Sequence, residues 1–397
     1  MDGPAVQEAT RPVRVLDAEA LAEDHARRLL PAGRGRSGPT GPSGGPAFAR
    51  TRGPAPSRSR GLGPSLDALG RLLAGVRHRW TGTGDVAELG SEESSALEWF
   101  LDNYFVIEEA VEQVGEALPP SFYRELPLLA GDAERRVSAA PENRERPRPA
   151  EQDQPRVQAL AANLLLTGEL HVALDAVVDF LDRYQTRSPL SLGEVWALPA
   201  MLRLLLLREL AWCAGRLAGV VPGTPGWEQA FGGVPGSDVR GSLAPDLKAG
   251  DAVARAVASL RVLDALDWEP VAERIGVVHR VLCGDPAGAY SRMEYASRDA
   301  YRRAVESIAR TSPASEPDVA RAAVDLARAT HPDQGRRTHV GYFLIDEGRP
   351  ILEARVGARP LLAERLRRAA IAHATAVYVT VATLVGLAIV AASAWLA

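Results

Sequence analysis

Apolar positions along this 397-residue chain recur mostly at helical spacing. Leu97, Leu101, Tyr104, Val111, Val114 and Leu118 form one stripe, while Glu98, Asp102, Glu109, Glu112 and Glu116 face away. That pattern predicts a single helix over 94–118, stopped by Pro119 and Pro120. Leu174, Val177, Val178 and Leu181 continue the same spacing within a helix expected over 157–184. Ser191 and Glu194 form a capping-box pattern that opens the next helix, which runs to about residue 217. Its face carries Leu202, Leu206, Leu210, Cys213 and Leu217, and Pro199 should kink it. Arg203, Arg208 and Glu209 interrupt its leucine run and favour a buried core helix over a membrane span.

Further helices are expected over 251–266, 269–282 and 297–310. Another is capped by Ser315, with Pro317 and Asp318 in its first turn, and ends near His331. Residues 339–346 alternate weakly, as a short strand would. The expected fold class is all-α, a multi-helix cytoplasmic region followed by one C-terminal transmembrane helix.

The transmembrane expectation rests on 370–397, which contains no Asp, Glu, Lys or Arg. About 20 apolar residues suffice to cross a bilayer. Arg365, Arg367 and Arg368 precede the stretch, and Tyr378 and Trp395 sit near its ends as interfacial residues do. Basic flanks place the preceding chain in the cytoplasm, with lipid as a partner, and no apolar leader opens the sequence.

Composition then divides the rest. Residues 1–30 contain an amphipathic helix (Leu16, Leu21, His25, Leu29, Leu30), and 31–65 form an insertion with nine Gly, seven Pro, six Arg and no acid. Such a stretch cannot bury enough apolar surface to order itself. The helical domain spans 66–218 and 251–368, separated by a Gly/Pro-rich loop over 219–250, with a charged, proline-rich loop near 138–155. A net charge of -4 argues against nucleic acid as a partner. Cys213 and Cys283, far apart and in apolar surroundings, read as buried free thiols.

Catalytic patterns are scarce. There is no phosphate-cradling glycine motif, no HExxH, no nucleophile elbow and no Asp-x-Asp pair of the kind that holds a metal on a sugar nucleotide. Catalytic, cofactor-binding and metal-ligating residues are therefore assigned to none of these positions. Glu108 and Glu109 are adjacent, so they diverge by about 100° on a helix and belong to a solvated face. Candidate interaction residues are Trp99, Asn103, Tyr123, Arg124, Glu125, Trp196, Arg298, Asp299 and Arg302. Packing or ion pairing between helices is the plainer use of each, and core is the default for Trp99, Trp196, Trp212 and Trp268.

Six stretches in order carry a resemblance: EWFLDNYFVIEE (98–109), LPPSFYRELPLL (118–129), residues 155–160, YQTRSPLSLGEVWALPAMLRLLLL (184–207), DPAGAYSRMEYASRDAYRRAVESI (285–308) and HVGYFLIDEG (339–348). Together they resemble the amino-terminal region of cyclic β-1,2-glucan synthases, ahead of the catalytic domains. The resemblance implies a full system of membrane helices, a transferase domain using UDP-glucose and a divalent metal, and a glycoside-phosphorylase-like domain at the inner membrane. This chain would then contribute a non-catalytic scaffold and anchor that docks on those domains. The alternative is a free-standing, tail-anchored helical interaction protein.

Overall fold

The computed structural model describes residues 16–29, 62–82, 91–129, 154–217, 231, 242–244, 246–360 and eleven positions between 375 and 389. Of the expected loops, 31–61 of 31–65, 138–153 of 138–155 and most of 219–250 lie outside the described residues, as do Arg365, Arg367, Arg368 and Trp395, while 63–65 already belong to a helix, which corrects that end of the insertion. The chain divides into two units, Met1–Gly276 and Val277–Ala397.

The first unit is built around α8 (Leu192–Leu217), a 26-residue helix buried on nearly every side. A helix apolar all round belongs in a core. α2 (Gly63–Gly82), α4 (Tyr104–Ala117), α6 (Arg156–Thr167) and α9 (Ala249–Asp264) pack against it. Pro199 lies inside α8 without ending it. α1 (Ala18–Arg28) is capped by Asp17, whose carboxylate accepts from the Ala20 N–H at 2.8 Å, and it packs on α7 (Leu174–Gln185). The unit closes with α10 (Trp268–Ile275), whose Trp268 indole donates to the Val195 carbonyl at 3.1 Å.

Three expected helices are broken. The stretch 94–118 is two helices, α3 (Ser91–Asp102) and α4, parted at Asn103 (φ -108°, ψ 14°). The Asn103 amide donates to the Trp99 carbonyl at 2.8 Å, a side-chain bond that competes with the helical ladder while the apolar stripe continues across the break. Between α6 and α7, Glu169 (φ 48°) and Leu170 (φ 68°) turn the chain in the left-handed region. Ser259 on α9 holds that turn: its hydroxyl donates to the Leu170 carbonyl at 2.7 Å and accepts from the Val172 N–H at 3.0 Å. Gly276 separates α10 from α11 (Val277–Leu282).

A short helix, α5 (Pro120–Tyr123), leads to the described strands, β1 (Leu128–Leu129) and β2 (Gln154–Pro155), paired antiparallel as Leu128 with Pro155 and Leu129 with Gln154.

In the second unit α13 (Glu316–Ala329) packs against α11, α12 (Tyr295–Ala309), α14 (Val340–Ile345) and α15 (Arg349–Arg355). Its inner face of Val319, Ala320, Ala323, Val324 and Ala327 is small enough for close approach. The capping box is formed: Ser315 Oγ accepts from the Asp318 N–H at 3.4 Å, and the Asp318 carboxylate accepts from the Ser315 N–H at 3.3 Å. Residues 340–345 are helical, correcting the strand expectation, because His339 caps them through Nδ1, which accepts from the Gly341 N–H at 2.9 Å. Six residues, five of them buried, are too few for their periodicity to separate strand from helix.

The single C-terminal transmembrane helix is also corrected. Among the described residues no helix is long and apolar enough to cross a membrane. Residues 370–397 lie largely outside the described residues.

Candidate functional site

Among the described residues each unit holds a buried polar centre. In the first, Arg156 opens α6 directly after β2, and its own N–H donates to the Pro127 carbonyl at 2.8 Å. Its guanidinium then crosses to α8: Nε donates to Glu194 Oε1 at 2.7 Å and Nη2 to Glu194 Oε2. Nη1 donates to Ser188 Oγ at 2.8 Å and Nη2 to the Pro189 carbonyl at 3.0 Å. Glu194 also accepts from the Ser191 N–H and hydroxyl, both at 2.9 Å, so the expected capping box forms around an ion pair.

Beside this pair, His25 Nδ1 and the Tyr184 hydroxyl are 2.8 Å apart. Burial, and then the Arg156 charge, push the His25 imidazole down to about 3. Burial pushes the Tyr184 phenol up to about 12, so both rings are neutral at pH 7. Tyr123, from α5, donates to Gln158 Oε1 at 3.2 Å and is likewise pushed up to about 12 by burial.

In the second unit Asp285 is the hub. One carboxylate oxygen accepts from the Ala289 and Tyr290 N–H groups at 3.0 and 3.2 Å. The other accepts from the Val340 N–H at 3.1 Å, joining segments 55 residues apart in sequence. His339 Nε2 lies 3.5 Å from the same carboxylate. Tyr290 stacks on Tyr301 at 6.1 Å, and Tyr301 meets the His339 ring edge-on at 5.7 Å. His279 Nδ1 is 3.1 Å from the Tyr290 hydroxyl, and its Nε2 is 3.5 Å from Cys283 Sγ.

These groups do little chemistry where they stand. Asp285 spends both oxygens on three backbone N–H groups, which fix loops. Cys283 is exposed, correcting the expectation of a buried thiol, whereas Cys213 is buried. A Cys–His pair can activate a nucleophile. Here the thiol directly follows the last residue of α11, at the carbonyl end of that helix. Among the described residues no three His, Cys, Asp or Glu side chains converge to hold a metal ion.

The candidate interaction residues do not converge. Tyr123 and Asn103 are buried and committed to Gln158 and Trp99. Arg124 and Glu125 are exposed, and Arg124 Nε donates to the Pro120 carbonyl at 2.9 Å. Trp196 packs half-buried against the core. Arg298, Asp299 and Arg302 pair within α12 and with its approach: Arg302 and Arg303 reach Asp299 at 3.5 and 2.7 Å, and Arg298 donates to the Met293 carbonyl at 2.8 Å. Tyr378 is exposed.

Trp99 departs from the core default at 43% exposure, and Phe105, not singled out from sequence, is 64% exposed. Around them Glu98, Asp102, Glu108, Glu109, Glu112 and Glu116 are exposed, with Arg77 meeting Glu108 at 3.3 Å. The exposed positions of α3 and α4 are thus rich in acids, with Trp99 and Phe105 among them. Arg156 and Asp285 were also missed, because periodicity carries no information on pairing across tens of residues. The resembling stretches were the available signal, since Tyr123, Arg156, Ser188, Glu194, Asp285 and His339 all lie in them.

No family model matches the chain. It is similar to the cyclic beta-(1,2)-glucan synthase NdvB of Rhizobium meliloti (strain 1021), 25% identical over 351 residues that cover 73% of this chain and 12% of that protein. The expected resemblance to a cyclic β-1,2-glucan synthase is thus found, and the chain spans a small part of the relative's length.

Proposed function

We propose that this chain is the non-catalytic helical scaffold of a cyclic β-1,2-glucan-synthesis system, corresponding to the amino-terminal part of such a synthase. The likeness to NdvB supports the system to which it is assigned. The scaffold role is supported by where the resembling stretches meet: at Arg156–Glu194 and Asp285–Val340, internal cross-links that set a shape. The transferase domain, working on UDP-glucose with a divalent metal, would be the docking partner, and location at the inner membrane would follow from that docking. Trp99 and Phe105, at exposed, acid-rich positions of α3 and α4, are the contact residues.

The test is removal of this chain from its host cell, followed by measurement of extractable cyclic β-1,2-glucan, with complementation by Trp99→Ala/Phe105→Ala. Glucan falls at least about tenfold on removal, and the double variant, which folds because both side chains are exposed, fails to restore it. Unchanged glucan after removal defeats the assignment. Incorporation of label from UDP-glucose by the purified chain with Mg²⁺ or Mn²⁺ defeats the non-catalytic role.

A further inference from the structure

His279 and Cys283 lie one helical turn apart at the end of α11, and the Cys283 N–H donates to the His279 carbonyl at 3.0 Å. That spacing brings the two side chains together on one side of the turn. Cys283 Sγ is 3.5 Å from His279 Nε2, and the thiol is exposed. Neither side chain serves the scaffold role above. Cys213, the other thiol, is buried against Glu209.

The far side of the imidazole is fixed. His279 Nδ1 is 3.1 Å from the Tyr290 hydroxyl. Tyr290 is itself held: it is fully buried, its N–H donates to Asp285 at 3.2 Å, and its ring stacks on Tyr301. When Nδ1–H donates to that hydroxyl, Nε2 keeps its lone pair on the side of Cys283. Such a bond from the second ring nitrogen is what sets the tautomer and orientation of a metal-binding imidazole.

The gap between the two atoms fits a soft metal ion. Tetrahedral zinc takes an imidazole nitrogen at about 2.0 Å and a thiolate sulfur at about 2.3 Å, so two such ligands stand about 3.5 Å apart. A thiol proton shared with Nε2 spans the same gap, and the ion takes its place. The S–H bond breaks, a sulfur–metal bond forms, and the proton leaves to water. Sulfur and imidazole together select zinc-like ions over Mg²⁺ and Ca²⁺, which seek oxygen. Among the described residues no third His, Cys, Asp or Glu joins the pair, so water fills the remaining positions.

We propose that Cys283 and His279 form a two-ligand chelate for a zinc-class divalent cation, with Tyr290 as the positioning residue behind the imidazole. The site does not depend on the glucan assignment.

The test uses the full chain, reduced and stripped of metal. Zn²⁺ is titrated at pH 7.5 in competition with a chromophoric chelator, and Co²⁺ is added separately as an optical probe. Wild type binds Zn²⁺ saturably, excess Mg²⁺ does not displace it, and Co²⁺ gives the near-ultraviolet absorption of a sulfur–cobalt bond. Cys283→Ser, which folds because the thiol is exposed, abolishes that absorption. His279→Gln lowers apparent Zn²⁺ affinity at least about tenfold, and Tyr290→Phe, which keeps the buried ring and touches neither ligand, does the same. Should His279→Gln not fold, Tyr290→Phe carries the imidazole arm. Absence of the sulfur–cobalt absorption in wild type, its survival in Cys283→Ser, or unchanged Zn²⁺ affinity in the imidazole variants overturns the chelate.

Discussion

Arg156 and Glu194 form a two-point ion pair inside the first unit, with side chains 4% and 0% exposed. They stand 38 residues apart and tie the start of α6 to the start of α8. Because the desolvation cost of both charges is already met, losing one partner leaves the other buried and uncompensated. Glu194→Ala is expected to lower unfolding stability by about 3–5 kcal/mol. Arg156→Met/Glu194→Leu, which removes both charges, should recover much of that loss. Urea unfolding measures both, and a single-variant loss below about 1 kcal/mol would show that the pair is not desolvated as described.

His25 makes stability depend on pH. Its unfolded value is near 6.5 and burial lowers its folded value to about 3, so between these limits the unfolded chain binds the extra proton. Stability therefore rises with pH across that window, and the His25 contribution is complete above about 6.5 and lost as pH falls toward 3. The full swing is on the order of a few kcal/mol. His25→Asn removes the titration and should flatten the profile of unfolding midpoint against pH between 6.5 and 4. An unchanged slope in the variant would transfer the effect to other groups.

Much of the helical framework was legible because burial imposes a 3.6-residue period that leaves a mark on every turn. Ser315 and Asp318 announced their capping box for the same reason: the whole device fits within four residues. Ser191 and Glu194 were read equally well as a cap, yet nothing local disclosed that the same carboxylate closes on Arg156. The breaks at Asn103 and at Glu169–Leu170 were hidden because the apolar stripe runs through them, and what ends the helix is one side-chain bond or a turn held from α9. The exposure of Trp99 was also illegible, since a helix face shows its period and not whether another helix covers it.

Ser259 tests the second of those breaks. Its hydroxyl is the bond partner of both Leu170 and Val172, and the residue is fully buried. Ser259→Ala leaves a carbonyl and an N–H without partners in the interior, which should cost about 1–3 kcal/mol. Hydrogen exchange is the sharper readout: the Val172 amide should lose protection well beyond that of the α8 amides. Uniform loss across the first unit would show that the hydroxyl contributes only to global stability.

Gly341 offers a corresponding test in the second unit. Its backbone passes against the side chains that surround Asp285. A Cβ placed there would collide with the Tyr301 hydroxyl and stand 2.6 Å from His339 Cε1 and Nδ1. Since the Gly341 N–H is the donor that His339 accepts, the ring cannot withdraw without losing the α14 cap. Gly341→Ala is therefore expected to cost about 1–3 kcal/mol through overpacking, despite alanine's better helix propensity. Pairing it with Tyr301→Phe, which removes the oxygen in the way, should return part of the loss in a double-mutant cycle. Strict additivity of the two changes would mean that the collision is relieved elsewhere and that the Tyr301–His339 contact does not constrain the turn.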